Sequence, residues 1–546
     1  MMTGGEAVAA SLVAHGVTHV FGIASVHNLP IYEALTRAPG ITVVRMRHEQ
    51  GATHAADGYA RATGRLGVVL ASTGPGTTNT VSGLYEAQFA SSPVLLITGQ
   101  VETGFYGRGK GFLHEFDRQV EMLRTVTRRV ESVRRTEDIA TTLRSLIAEM
   151  RAGRPQPGAI EIPIDLQYRT ADVPIPDPAA SVAASPDAAP IAQAIELLNG
   201  ASRPLIWAGG GVTTAAASAE LVALAERLQA PVITTYEGRG SIPEDHPLAI
   251  GARSDRGALA PIIAEADVVL AVGTRFQNYA TRMWRLPIPG KLVHLDVDPA
   301  VIGRNYPVTV GIVTDARLGL AALLDGIDQA AGNTGYLERV RKAVEADLEQ
   351  CAQDNGPDHE SIAWSIRRLL PANAVVARDA TVPAYLWGNR TLPVLAPRTS
   401  IRPTGMAIGP GLPLAIGAAF GTGERTVLIQ GDGGLMLSIG ELATAAEYRL
   451  PLIILVFNDG GYGVLRQIED AMMERRFGVD LHTPDFVTVA RGMGLESERV
   501  VGLAEFEPAF ERALARPGPT LLDIDMHALS PLTFPLPAHY RKQRRG

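Results

Sequence analysis

At 546 residues the chain is too long for one hydrophobic core, and three domains are the natural expectation. A net charge of −7, with one basic cluster at 541–545, excludes a nucleic-acid binder, which needs a basic stripe to neutralise phosphates. The single cysteine, Cys351, excludes a disulfide framework and a cysteine-rich metal site, and fits a reducing cytoplasm. No stretch approaches the ~18 to 20 continuous apolar residues of a membrane span, and the first residues lack the basic-then-apolar layout of a signal peptide.

In chain order, an amphipathic helix is expected over 5–16, then a strand at Val20-Phe21-Gly22-Ile23 and a loop through His27. A helix from Leu29, a strand at 41–44 and a helix over 52–61 follow, the last led in by His48-Glu49-Gln50-Gly51. Strands at 68–71, 94–98 and 159–163 complete a first block, the strand at 68–71 running into Gly74-Pro75-Gly76-Thr77-Thr78-Asn79. Residues 171–190 are rich in Pro, Ala and Ser with no apolar period, which marks a linker. A second block has strands at 205–208, 232–234, 268–272 and 292–297, and a mixed helix and connection lies near 333–355. A third block has strands at 374–377, 426–429, 452–457 and 520–524. Strands alternating with helices predict parallel sheets covered on both faces. The division expected is 1–170, linker 171–190, 191–330, connection 331–360 and 361–546, with the first and third blocks alike.

The third block carries the most telling stretch. Gly431-Asp432-Gly433-Gly434 ends one apolar strand, a helix is expected from Met436 to Tyr448, and Asn458-Asp459-Gly460-Gly461 ends the next strand. Glycines allow close approach to a phosphate, and a helix N-terminus offers unpaired N–H groups. Parallel strands bring Asp432 and Asp459 to one sheet edge, where two carboxylates, the carbonyl near Gly461 and diphosphate oxygens suit Mg²⁺ or Ca²⁺. An ordinary βαβ unit with two turn aspartates is the plainer alternative.

The 27 positions separating Asp432 from Asp459 resemble the thiamine diphosphate-binding motif, in which Gly-Asp-Gly is followed by Asn-Asn. Here the second Asn is Asp459, which keeps an oxygen ligand but adds a negative charge. His48-Glu49-Gln50-Gly51-Ala52 with Gly58-Tyr59-Ala60-Arg61 is similar to the catalytic-glutamate segment of the same enzymes, and 74–79 to their cofactor-facing loop. The match covers essentially the whole chain and looks most like the acetolactate synthase and 2-oxo acid decarboxylase branch. It implies three doubly wound α/β domains: pyrimidine-binding, central and diphosphate-binding.

The resemblance further implies that Glu49 activates the cofactor from a largely buried position. It makes Asp432, Asp459 and the Gly461 carbonyl the metal ligands. Gly74, Asn79, Thr381, Met406, Ile408, Gly431, Gly433, Gly434 and Tyr462 complete the expected cofactor site, with Ile408 as an apolar wedge and the Met406 carbonyl as a ring acceptor. His27 and His114 are the expected proton carriers near the substrate. The implied assembly is a homodimer or homotetramer with Glu49 and Asp432 supplied by different subunits.

Departures bear on the substrate. His114 stands where acetolactate synthases usually carry Gln, Leu113 where Phe is usual, Ile468 in place of a Trp, and Leu465 where pyruvate decarboxylases carry a catalytic Glu. Val464, Leu465 and Ile468 suggest a roomy apolar wall, over which 532–540 would fold unless it is a surface tail. Gly209-Gly210-Gly211, Gly273-Thr274-Arg275-Phe276 and Asp296-Val297-Asp298-Pro299 resemble nucleotide-binding stretches, but Gln277-Asn278-Tyr279 replaces the usual Asp-Asp-Arg, so FAD is the less favoured cofactor. The expected function is decarboxylation of a 2-oxo acid with carboligation. The alternatives are simple decarboxylation to an aldehyde, acyloin cleavage, a flavin-assisted oxidase, or a scaffold or regulator without turnover.

Overall fold

The structure is a computed structural model that describes residues 1–180, 185–288, 291–328 and 334–534. Three six-stranded, wholly parallel sheets carry the chain, each flanked by helices, as the alternating pattern predicts. The first sheet runs Thr42–Arg45, His19–Gly22, Gly67–Ala71, Val94–Gln100, Gly158–Pro163 and Arg129–Ser132. The third runs Ser400–Ile401, Val375–Arg378, Thr426–Gly431, Leu452–Asn458, Thr520–Asp525 and Glu496–Val500. Numbered along the chain within each sheet, both have the order 2-1-3-4-6-5, so the first and third blocks share one topology. The middle sheet has the order 3-2-1-4-5-6 of dinucleotide-binding folds. In such open sheets, ligands bind beyond the carboxyl ends of the strands where the order reverses.

The first and third sheets are joined by two helices made of small residues. Glu49–Thr63 and Gly411–Thr422 pack backbone to backbone, because a Cβ at Gly417 would overlap the Ala55 carbonyl oxygen and one at Gly58 the Leu414 carbonyl oxygen. Ala52, Ala55, Ala56, Leu412, Ala415 and Ile416 belong to one core that runs between the two domains. The glutamate helix is thereby fixed against the domain that carries Asp432.

Several elements differ from expectation. The helix expected from Met436 to Tyr448 is two pieces, Asp432–Met436 and Glu441–Glu447, since the chain turns at 437–440. The mixed segment near 333–355 is one helical run, Thr334–Leu369, broken at Gly356, where φ is 71° and Pro357 follows. Before the break Tyr336 and Val340 pack on the middle sheet, and after it Ile362 and Ile366 pack on the third. The Pro/Ala-rich linker ends early, with a helix from Ala188 to Asn199, while Ala171 and Val173 are buried against the first sheet. Among the described residues no helix is long and apolar enough to cross a membrane.

Just past the break lies His359, wholly buried beside Phe457, with neither ring nitrogen hydrogen-bonded. Burial lowers its pKa to about 4. The unfolded chain therefore binds the proton first as pH falls from about 6.5, so the stability it contributes is complete above that value and lost on the way down to about 4. The loss is on the order of 3 kcal/mol. Relative to wild type, a His359→Leu variant is expected to gain stability by that amount on acidification. Denaturant titrations of both proteins across this pH range check it, and a gap that does not change with pH would contradict it.

Candidate functional site

The diphosphate-type motif sits at the carboxyl end of the third sheet, beside the point between Val375–Arg378 and Thr426–Gly431 where its order reverses. Strands Thr426–Gly431 and Leu452–Asn458 run parallel with Gly431 opposite Phe457, so both chains leave the sheet at one level. Asp432 and Asp459 meet there, the Asp459 N–H donating to Asp432 Oδ1 at 3.4 Å. Asp432 is 1% exposed and its Oδ2 is buried without a partner. Burial, reinforced by the neighbouring Asp459 carboxylate, pushes the Asp432 pKa up to about 6. Burial also raises Asp459, with the Arg466 guanidinium opposing it. Two desolvated carboxylates with an orphaned oxygen make a site that favours a cation.

The glycines close the cradle. A Cβ on Gly433 would sit 2.9 Å from the Gly461 carbonyl oxygen and 2.7 Å from the Tyr462 ring, and one on Gly431 would sit 3.1 Å from Thr381 Oγ1. Gly431, Gly433, Asp432, Asp459, Gly461, Tyr462 and Thr381 are thus brought together. Among the described residues no group of three or more His, Cys, Asp or Glu side chains is placed to hold a metal ion, so backbone and ligand oxygens must complete any coordination here. The donor set is all oxygen, as a hard divalent cation requires.

Asp379, which the sequence reading passed over, ties this cradle to the 406–411 segment. Its carboxylate accepts the N–H groups of Ala380 and Gly409 at 2.6 and 2.9 Å and the Gln430 amide at 2.5 Å. A further carboxylate, Glu86, accepts the N–H groups of Gly405 and Ala407 at 2.7 and 3.0 Å. Met406 between them has φ of +68°, an uncommon conformation for a side chain of this kind, and two neighbours anchored to one carboxylate hold it there. Met406 is exposed and Ile408 half-buried, next to Gly409 on the same loop. A strand end followed by Asp was the available signal for Asp379; nothing local marks Glu86.

The second group lies at the carboxyl edge of the first sheet. Glu49 is the first residue of its helix, capped by His48. Its Oε2 accepts the Asn79 amide at 3.0 Å, and a Cβ on Gly76 would come 3.2 Å from Oε1. Within the single chain Glu49 is half-buried, next to exposed Arg47 and His48. The His27 and His114 rings lie with centroids 5.2 Å apart, tilted by 38°. Ser72 Oγ lies 3.5 Å from His114 Nδ1 and accepts a hydrogen bond from Ser25 Oγ at 2.6 Å; neither serine was singled out beforehand. His27 is 3% exposed, its Nδ1 has no partner, and burial first and His114 second hold its pKa below the usual histidine range. Gly74, with φ of +62°, donates its N–H to Gln119 Oε1 at 3.0 Å and would lose its fit to the His114 carbonyl if it carried a Cβ.

The two groups are not joined directly within the chain, although Glu441 Oε1 accepts the N–H groups of Arg47 and His48 at 3.1 Å each. Among the described residues, no hydrogen bond or ion pair of Glu49, Asn79, His27 or His114 reaches Asp432, Asp459 or residues 406–409. Beside the acidic group, helix Gly463–Met472 presents Val464, Leu465 and Ile468 without fully burying any of them. Leu532 packs on Val382 and Leu386, and Gln467 hydrogen-bonds both the Leu532 carbonyl and the Phe534 N–H. The rest of the segment expected to fold over this wall, 535–540, and the basic cluster at 541–545 lie outside the described residues. A separate cavity of about 830 Å³ opens at the reversal point of the middle sheet, lined by Arg61, Arg154, Arg275, Arg398 and Arg402, with Gln277, Asn278 and Tyr279 also on its wall.

Comparison with known proteins accounts for all three domains. Residues 2–122 match the description "thiamine pyrophosphate enzyme, N-terminal TPP binding domain", 191–323 the central domain and 383–524 the C-terminal TPP binding domain of the same family. The chain is 34% identical to a probable acetolactate synthase large subunit of Methanocaldococcus jannaschii, covering 96% of this chain and 92% of that protein. It is 36% identical to a probable 2-ketoarginine decarboxylase of Pseudomonas aeruginosa, covering 96% and 94%. An acetolactate synthase large subunit of Corynebacterium glutamicum is 33% identical, covering 94% and 84%.

Proposed function

Because the chain belongs to the thiamine pyrophosphate enzyme family, in its acetolactate synthase-like and 2-oxo acid decarboxylase branch, we propose that it decarboxylates a 2-oxo acid and joins the remaining acyl unit to a second carbonyl compound. When bound, thiamine diphosphate supplies the electron sink for loss of carbon dioxide and the carbon nucleophile for ligation. Asp432, Asp459 and the Gly461 carbonyl hold Mg²⁺, while Gly431, Gly433 and Gly434 let Thr381, Tyr462 and Asp379 close up around the diphosphate end of the cofactor. Thr381 and Tyr462 border that cradle, and Met406 and Ile408 support the ring system. Glu49 holds and releases a proton at its carboxylate, with Asn79 orienting Oε2 and Gly74 shaping the loop opposite. His27 and His114 exchange protons with substrate oxygens, and the low pKa of His27 keeps it a neutral acceptor at physiological pH. The observation that carries this reading is the pairing of Asp432, with its unpartnered buried Oδ2, and Asp459 above a glycine cradle.

The reading includes a homodimer or homotetramer in which Glu49 of one subunit faces Asp432 of another. Its support is the half-open position of Glu49 and the lack of any hydrogen bond or ion pair between the two groups among the described residues. Flavin is not included, since Gln277, Asn278 and Tyr279 line the middle cavity where an Asp-Asp-Arg run would be expected. A second reading, release of an aldehyde without ligation, is favoured by the similarity to the 2-ketoarginine decarboxylase.

Asp432→Asn tests the site. Mg²⁺-dependent binding of thiamine diphosphate is expected to weaken by about 100-fold or more, given what even outer partners of a metal contribute. The cofactor-free variant should be as stable as wild type or more so, because a desolvated carboxylate with an orphaned oxygen is removed. Calorimetric titration with thermal unfolding of the apo proteins measures both, and undiminished binding would contradict the assignment.

A further inference from the structure

Asp459 adds a carboxylate to a site that must also accept an anionic diphosphate, and the chain carries a cation where that charge would be felt. Arg466 Nη1 lies 3.4 Å from Asp459 Oδ2 and donates to the Asp459 carbonyl at 3.1 Å, while Nη2 donates to the Gly460 carbonyl at 3.1 Å. Nε donates to Asp480 Oδ1 at 2.8 Å. Both members of the Asp459 pair are mostly buried, with side chains 13% and 17% exposed, so water screens the contact weakly. The placement is unfavourable on local grounds. Arg466 stands in the first turn of helix Gly463–Met472, where the helix dipole disfavours a cation. Asp459 supplies the offset, its carboxylate lying against Gly463, where a Cβ would overlap it.

We infer that Arg466 is a positioning residue that neutralises Asp459, so that the site keeps the charge of a single ligating aspartate and takes up both a divalent cation and a diphosphate. This rests on the metal-site reading above. Neutralisation has a signature that simple bracing of the 459–461 turn lacks: removing the cation acts oppositely on the two ligands. With Arg466→Gln, the extra negative potential tightens Mn²⁺ binding in the absence of cofactor and weakens thiamine diphosphate binding at saturating Mg²⁺, each by about tenfold for one charge at this range. Asp459→Asn leaves Arg466 unmatched and shifts both affinities the other way. The double variant Asp459→Asn/Arg466→Gln returns both to within a fewfold of wild type.

The experiment is a double-mutant cycle on the full chain. Mn²⁺ binding is read by electron paramagnetic resonance of the free ion and cofactor binding by calorimetry, neither of which needs turnover. Asp480→Asn serves as control and is expected to change either affinity by about twofold at most, since Asp480 is 62% exposed. Opposite shifts with restoration in the double variant support the inference. Weakening of both ligands by Arg466→Gln, or additive losses in the double variant, would overturn it in favour of bracing alone. A wild-type protein that binds neither Mn²⁺ nor cofactor would overturn the metal-site reading, and this inference with it.

Discussion

Glu49→Gln is expected to lower turnover by about 100- to 10,000-fold, the range that a positioned acid–base group contributes. The substitution keeps the length and shape of the side chain. The glutamine oxygen still accepts the Asn79 amide that now reaches Oε2, so the helix start and the loop at 74–79 should keep their places. What is lost is the capacity to hold and release a proton beside Gly76, where a carboxylate oxygen now lies. Affinity for thiamine diphosphate should change little, because diphosphate and metal are held on the other sheet. Steady-state kinetics with a cofactor titration separate the two effects. Turnover within tenfold of wild type would mean that Glu49 is only a helix-start residue.

The second large effect concerns stability. Gly417→Ala places a methyl group on the Ala55 carbonyl oxygen, in the contact that joins the Glu49 helix to the third domain. Neither partner is a flexible side-chain tip, so two helices must separate or shift. The cost is at least about 3 kcal/mol, the upper range of overpacking. Gly492→Ala, at a glycine with no atom near its missing Cβ, is expected to stay within about 0.5 kcal/mol of wild type. Chemical denaturation of the three proteins checks this. The Gly417 variant should also lose activity beyond its loss of folded protein, since the moved helix carries Glu49. A Gly417→Ala protein as stable as the Gly492→Ala control would show that these backbones do not abut.

Much of this was legible because it is written locally. Apolar runs that end at Gly-Asp-Gly-Gly and at Asn-Asp-Gly-Gly mark both strand ends at the acidic pair, and alternation of strands and helices gives three parallel sheets. Short edge strands such as Ser400–Ile401, Arg129–Ser132 and Glu496–Val500 escaped notice, because an edge needs no continuous apolar run. The helix break at 437–440 falls on Leu437-Ser438-Ile439-Gly440, where Gly440 was an available signal that the apolar pattern on either side outweighed. Charges buried by tertiary contact were illegible in principle. Glu86 grips residues 405 and 407 across more than three hundred positions, and Asp379 grips Gly409 and Gln430 across tens. His27 reads as a loop histidine in sequence and is buried in the structure. In each case the deciding neighbour comes from another part of the chain.

Turnover of a panel of 2-oxo acids, from pyruvate through branched, aromatic and guanidino-bearing chains, with thiamine diphosphate and Mg²⁺ present, decides the reaction. Carbon dioxide and the carbon product are followed together. Carbon dioxide release matched by a ligated hydroxy-ketone or hydroxy-oxo acid product is the expected result. Aldehyde alone would contradict the carboligation and establish the decarboxylase reading. No carbon dioxide from any acid, with cofactor demonstrably bound, would contradict the 2-oxo acid assignment itself.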